Sequence, residues 1–88
     1  MSDQTAYAEG FDDAIIGIDD SLTNDVPRVV YSKTLMLEIL IADGMNEIDA
    51  IEHLEYNVYG AYVGKGTPIY MDDMKHDEVI EFLTQYDE

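Results

Sequence analysis

The sequence predicts an α+β domain, a small sheet of about three short strands packed with three helices, in the order β-β-α-α-β-α. Three observations carry that prediction. Short β-branched or aromatic runs occur at Ala14–Ile18, Arg28–Tyr31 and Thr67–Met71. Longer segments with apolar residues at helical spacing follow Ser32, Asn46 and Asp72-Asp73. Glycines, prolines and clusters of Asp, Asn and Ser punctuate the joints, with no repeat, low-complexity tract or linker. Residues 11–88 read as a single domain. Residues 1–10, polar and acidic, read as a flexible N-terminus.

Ala14-Ile15-Ile16-Gly17-Ile18 lies between Asp12-Asp13 and Asp19-Asp20, as a buried or half-buried strand would. Asp19 to Pro27 concentrates turn formers and is expected to be a loop. Arg28-Val29-Val30-Tyr31 is the second strand, and a connection of about eight residues favours an antiparallel pair. Ser32 suits an N-cap, because its hydroxyl can accept from a free amide of the first turn. The helix runs from about Lys33 to Asp43, with Gly44 as its C′ residue. Leu35, Met36, Leu37, Ile39, Leu40, Ile41 and Ala42 make it apolar nearly all round, so it is expected to be buried on several sides. Eighty-eight residues offer little to cover it, which points to a homodimer as one solution.

Asn46 is the next expected N-cap, with Asp49 at N3 as a weak capping box. The helix from about Glu47 to Tyr59 sets Ile48, Ile51, Leu54 (or Glu55) and Val58 on one stripe. Gly60 can end it. Gly64 and Gly66 are expected to make a flexible loop, and Pro68 to mark the start or edge of the third strand. Asp72-Asp73 open the last helix, whose apolar side is Val79, Ile80, Phe82, Leu83 and Tyr86.

Charge bounds function. Twenty acidic side chains face four basic ones, giving a net charge of −16 and a pI near 4.1. A small domain stays soluble with a net magnitude of about 2–8, so solubility alone does not demand this excess. Hydrophobic residues at 47% still suffice for a fold. Phosphate contacts need Lys and Arg, so direct nucleic-acid binding is not expected, nor is attraction to anionic lipid. No apolar stretch approaches the ~20 residues of a membrane span. Met1 to Gly10 has no basic and no apolar region of a signal peptide. The absence of cysteine removes disulfides and thiolate metal sites and fits a reducing compartment. The expected location is the cytoplasm.

Chemical motifs are sparse. Gly60-Ala-Tyr-Val-Gly64-Lys65-Gly66-Thr67 departs from a Walker A, with three residues rather than four before Gly-Lys and Gly66 between Lys65 and Thr67. Asp72, Asp73, His76 and Asp77 form one acidic cluster, and Glu52, His53 and Glu55 another. Neither has a calcium-loop spacing, and twenty acids in 88 residues cluster by chance. A chain this short leaves little room for a deep, dry cleft that would raise a carboxyl pKa. No catalytic, metal or cofactor residue is therefore assigned, and the protein is expected not to be an enzyme. Seven tyrosines remain, of which Tyr56, Tyr59 and Tyr62 recur at threefold spacing. They suit half-buried core with the hydroxyl reaching water, or a recognition surface.

Glu55-Tyr56-Asn57-Val58-Tyr59-Gly60-Ala61-Tyr62-Val63-Gly64, continuing to Thr67-Pro68-Ile69-Tyr70, resembles a family of small bacteriophage proteins. Their pattern is close to E-[FY]-N-x-x-G-A-[YW]-V-G-x-x-T-P-[IM]-[FY]. Phe11-Asp12-Asp13-Ala14-Ile15-Ile16-Gly17, Val29-Val30-Tyr31 and Gly44-Met45 extend the likeness over most of residues 11–71. The resemblance implies a phage origin and a life in the host bacterial cytoplasm. It assigns no activity. Asn57, Gly60, Tyr62, Gly64, Thr67 and Pro68 stand as structural residues of the motif, with Asn57 placed to bond free carbonyls or the following loop.

The leading expectation is a non-enzymatic phage accessory protein that binds a basic host factor, with nucleic-acid mimicry within reach. Sixteen charges match about 27 Å of duplex. Its candidate anionic surface comprises Asp12, Asp13, Asp19, Asp20, Asp72, Asp73, Asp77, Glu78 and Glu81. The alternative is a small oligomeric assembly protein whose charge serves solubility or salt tolerance.

Overall fold

Two small sheets and three helices form the fold in the computed structural model, which describes residues 2–21, 23 and 25–86. Strand β1 (Ser2–Thr5) precedes a 3-10 turn at Asp12–Ala14. Strands β2 (Ile15–Asp19) and β3 (Arg28–Ser32) follow, then helices α1 (Lys33–Ala42) and α2 (Glu47–Asn57). Strands β4 (Gly64–Gly66) and β5 (Ile69–Met71) lead to α3 (His76–Tyr86). The predicted three-stranded sheet is β2-β3-β5, and the three helices are present, so the α+β class holds.

The short 20–27 connection makes β2 and β3 antiparallel, pairing Ile15 with Tyr31 and Asp19 with Arg28. One extra residue at Ile16 bulges β2 between Ile15 and Gly17. After the two-helix crossover, β5 runs parallel to β3, with Ser32 opposite Met71. Val29 and Tyr31 alternate inward at the strand period and are buried with Phe11, Ala14, Met36 and Leu54. Tyr31 is wholly enclosed, and its hydroxyl accepts from the Ala8 amide at 2.8 Å. A buried phenol is thereby satisfied.

The N-terminal ten residues, expected to be flexible, contain a strand: β1 runs parallel to β4. Gly64–Gly66, expected as a flexible loop, is that partner. The physical reason is close approach. A Cβ on Gly66 would lie 2.1 Å from the Gln4 carbonyl oxygen, so only glycine lets the two backbones meet. Of the three glycines in this region only Gly64 uses a positive φ, at 117°. Gly60 does not, and α2 closes without it through Val58 and Tyr59 amides that both donate to the Leu54 carbonyl.

Ser32 caps α1 as its residue type predicts, accepting from the Leu35 amide at 3.1 Å. At the other end Gly44 donates to Ile41 O and Met45 to Leu40 O, a Schellman pair made possible by Gly44 at φ 106°. Asn46 caps α2 by accepting from Asp49 N, while its amide donates to the Asp49 carboxylate.

Burial departs from expectation in α1 and α2. In α1 only Met36 is buried, Leu35, Leu37, Ile39 and Leu40 are half-buried, and Ile41 is exposed. In α2 the core stripe is Ala50, Leu54 and half-buried Val58, at intervals of four. Ile48 and Ile51 lie outside it and are exposed. In α3 every residue is exposed, and the helix is in none of the closely packed element pairs.

Size reflects this. A compact chain of this length has a radius of gyration near 12 Å, against 14.4 Å observed with extents of 38 × 33 × 21 Å. A compact 10.0 kDa monomer exposes about 5,200 Å², against 6435 Å² here.

Candidate interaction surface

Sheet topology decides where the acidic residues fall. The antiparallel pairing puts Ile15, and the Asp12-Asp13 turn before it, at the same end as Tyr31 and Ser32. The parallel pairing brings Met71, and Asp72-Asp73 after it, to that end too. Strands β2 and β5 flank β3, so the two acidic pairs leave the sheet about 10 Å apart, two strand spacings. Asp19 and Asp20 lie at the opposite end of β2, about 13 Å along the strand. Asp77, Glu78 and Glu81 ride on exposed α3. The nine acids therefore occupy separate regions, and only Asp12, Asp13, Asp72 and Asp73 share one sheet end.

Two of those four have local duties. The Ser32 hydroxyl donates to the Asp73 carboxylate at 2.7 Å, placing an anion beside the amides that open α1. Asp72 pairs with Lys33 at 3.3 Å, and the Lys33 ammonium also lies 4.8 Å above the Tyr59 ring. Together these contacts tie the start of the C-terminal segment to the start of α1. Glu78 turns back to accept from the Lys75 amide at 3.0 Å, closing the first turn of α3. At the far end Asp19 accepts from the Ser21 amide and hydroxyl, and Lys65 pairs with Asp25 at 2.8 Å.

The motif residues cluster around the loop between α2 and β5. The Thr67 hydroxyl donates to Gly64 O at 2.6 Å and accepts from Val63 N at 3.0 Å, closing a tight turn. Arg28 Nε donates to Thr67 O at 2.6 Å, fixing that turn to β3. Pro68 is buried immediately before β5. Asn57, expected to reach carbonyls or the loop, instead has its amide 3.4 Å from His53 Nδ1, one helical turn back. Tyr62 is exposed.

The tyrosines do not follow the helical spacing. Tyr56 and Tyr62 are exposed, whereas Tyr59 meets Tyr70 at 5.1 Å and Tyr70 meets Tyr31 at 5.8 Å between ring centres. Burial raises the pKa of all three clustered phenols above the ordinary value, helped by Asp12 at Tyr31 and by Asp72 at Tyr59. This cluster joins the turn after α2 to β3 and β5 and is core chemistry.

Between α1 and α2 lies a groove of about 320 Å³ lined by Leu37, Ile51, Leu54 and Tyr59, with Lys33, Thr34, Glu55 and Asp72 on its rim. Its cation is already engaged by Asp72. Among the described residues no group of three or more histidines and carboxylates is arranged to hold a metal, and no helix is long and apolar enough to cross a membrane. No family model, curated protein sequence or solved structure matches the chain.

What sequence reasoning missed is the state of α3. Val79, Ile80, Phe82, Leu83 and Tyr86 are the apolar side that the sequence gives the last helix, and all five are exposed. The periodicity was visible in the sequence, but nothing in it says whether another part of the chain covers that side.

Proposed function

We propose that this protein is a non-enzymatic phage accessory protein that engages a basic surface on a protein partner. The observation that carries the reading is how the charges are used. Arg28, Lys33 and Lys65 are held by contacts within the chain, while Asp12, Asp13, Asp77, Glu78 and Glu81 remain exposed. The field facing a partner is therefore strongly negative, which steers and orients association with a basic surface. The division of the acids between two sheet ends favours a protein surface over a duplex-like row of charges.

The test is capture from bacterial lysate at about 50 mM and 500 mM salt. A basic protein retained at low salt and released at high salt, and lost in an Asp12→Asn/Asp13→Asn variant, is the expected result. Retention of nothing basic at low salt overturns the reading. A second role, as an oligomeric assembly protein, draws on exposed Ile41 and Ile48 at one end of the α1–α2 pair. Sedimentation distinguishes it as a defined homo-oligomer that captures no partner.

A further inference from the structure

We infer that α3 is the docking element, a preformed amphipathic helix that lays Val79, Phe82, Leu83 and Tyr86 into an apolar groove rimmed by Lys and Arg on a partner protein. The inference rests on the anionic-binding reading above and names the segment and the kind of surface it meets.

Spacing comes first. These four residues stand at i, i+3, i+4 and i+7, the anchor pattern by which a helix fills a groove. Phe82 and Tyr86 stack at 6.1 Å, so the aromatic anchors already form one ridge. Exposure comes second. Phe82 is 51% and Tyr86 78% exposed, on a helix that packs closely against no other element. An apolar ridge left in water marks an interaction site. Formation is third. Eleven residues are too few for an isolated helix to be stable. Here Glu78 caps the first turn and the Thr84 hydroxyl bonds to Ile80 O near the last. The contacts of Asp72 with Lys33 and of Asp73 with Ser32 anchor its root.

Charge selects the occupant. Helix α3 carries Asp77, Glu78 and Glu81 and no Lys or Arg. Glu78 and Glu81 border the same shallow recess as Phe82, so any groove that takes the ring meets two carboxylates at its edge. A cationic rim is complementary at that range, inside the ~8 Å over which salt screens. A second copy would bring the same acids and another −16 to the contact.

The chain has no tryptophan, so Phe82→Trp in the full chain is a site-specific reporter. The probe is an amphipathic helical peptide of leucine and lysine, titrated at 0.1 M and 1 M NaCl. The expected result is a blue-shifted emission at saturation, with affinity weakened about tenfold or more by Val79→Asp/Leu83→Asp and by Tyr86→Ala, each made in the Phe82→Trp chain. Weakening at 1 M salt is expected as well. Circular dichroism checks that each variant keeps its fold. Binding with no emission shift and with unchanged affinity in both variants overturns the role of α3 and leaves the anionic reading standing. No binding at 0.1 M salt overturns both. A dimer in sedimentation that Val79→Asp/Leu83→Asp dissolves shows a second copy in place of a basic partner, and overturns the inference.

Discussion

Helices α1 and α3 are nearly equal in length, ten and eleven residues, and both are rich in large apolar side chains. Their fates differ. Helix α1 is apolar almost all round and is held between the 3-10 turn, β3 and α2, with Met36 fully enclosed. Helix α3 has the cleaner separation of an apolar from an acidic side, and not one of its residues is buried. An amphipathic pattern records that a face is suited to contact. Whether the same chain makes that contact depends on where the helix is tethered. Helix α1 follows β3, the central strand, after no intervening residue and lies against the sheet end. Helix α3 follows the edge strand β5 after four residues and packs closely against no other element.

The comparison can be broken by measuring where stability resides. Tyr31→Ala removes the largest enclosed side chain and is expected to cost about 3–5 kcal/mol by urea denaturation, as for other buried aromatics. An effect below 1 kcal/mol would mean that the sheet–α1 region is not the core. Next comes Gly66→Ala, whose methyl meets the Gln4 backbone. A loss of about 1–3 kcal/mol is expected, or separation of β1 from β4 seen as fast amide exchange in residues 2–5. Neither outcome would occur if the N-terminal strand were loose in solution.

Ser32→Ala deletes the cap of α1 and the partner of Asp73 together, and should cost about 1 kcal/mol. A double-mutant cycle with Asp73→Asn would show coupling between the two sites if Asp73 roots the C-terminal segment, and strict additivity if it does not.

Alkaline titration separates the regions chemically. Tyr31, Tyr59 and Tyr70 have pKa values raised chiefly by burial. The folded state thus holds their protons more tightly than the unfolded chain. Their contribution to stability is complete below about pH 10 and is lost as pH rises through the higher folded values. Unfolding midpoints should fall above pH 10, and tyrosinate absorbance should show a late phase that merges with the main one in urea. A single early phase would place these rings in water. The smallest effect is expected from Phe82→Ala, within about 0.5 kcal/mol, as for an exposed surface position. A cost near that of Tyr31→Ala would mean that α3 packs in solution and would end the contrast with α1.

Local chemistry was legible in the chain. Ser32 and Asn46 announce caps because a short polar side chain can accept from a free helix amide. Gly44 announces the C-terminus of α1 because only a residue at ease with positive φ closes a Schellman pair. The antiparallel β2–β3 pair follows from a connection too short for a crossover. The β1–β4 pair was hidden, since neither polar Ser2–Thr5 nor glycine-framed Gly64–Gly66 carries a strand signature. Its basis is a backbone clearance between segments some sixty residues apart. The α2 stripe was misplaced for a similar reason. Ile48 and Ile51 have the right spacing, but the face that the fold encloses carries Ala50 and Leu54.

Of the candidate surface, the sequence by itself determined the net charge of −16, the caps of α1 and α2, and the amphipathic spacing of α3, because each depends only on residue type and near neighbours. Helix α3 itself begins at His76 rather than at Asp72-Asp73, which are held by Lys33 and Ser32. The tertiary structure alone decided which acids stand together. Strand order and direction bring Asp12-Asp13 and Asp72-Asp73 to one sheet end and send Asp19-Asp20 to the other, through pairings between residues far apart in the chain. It also decided that Val79, Phe82, Leu83 and Tyr86 face water, because burial is a property of what lies opposite a side chain.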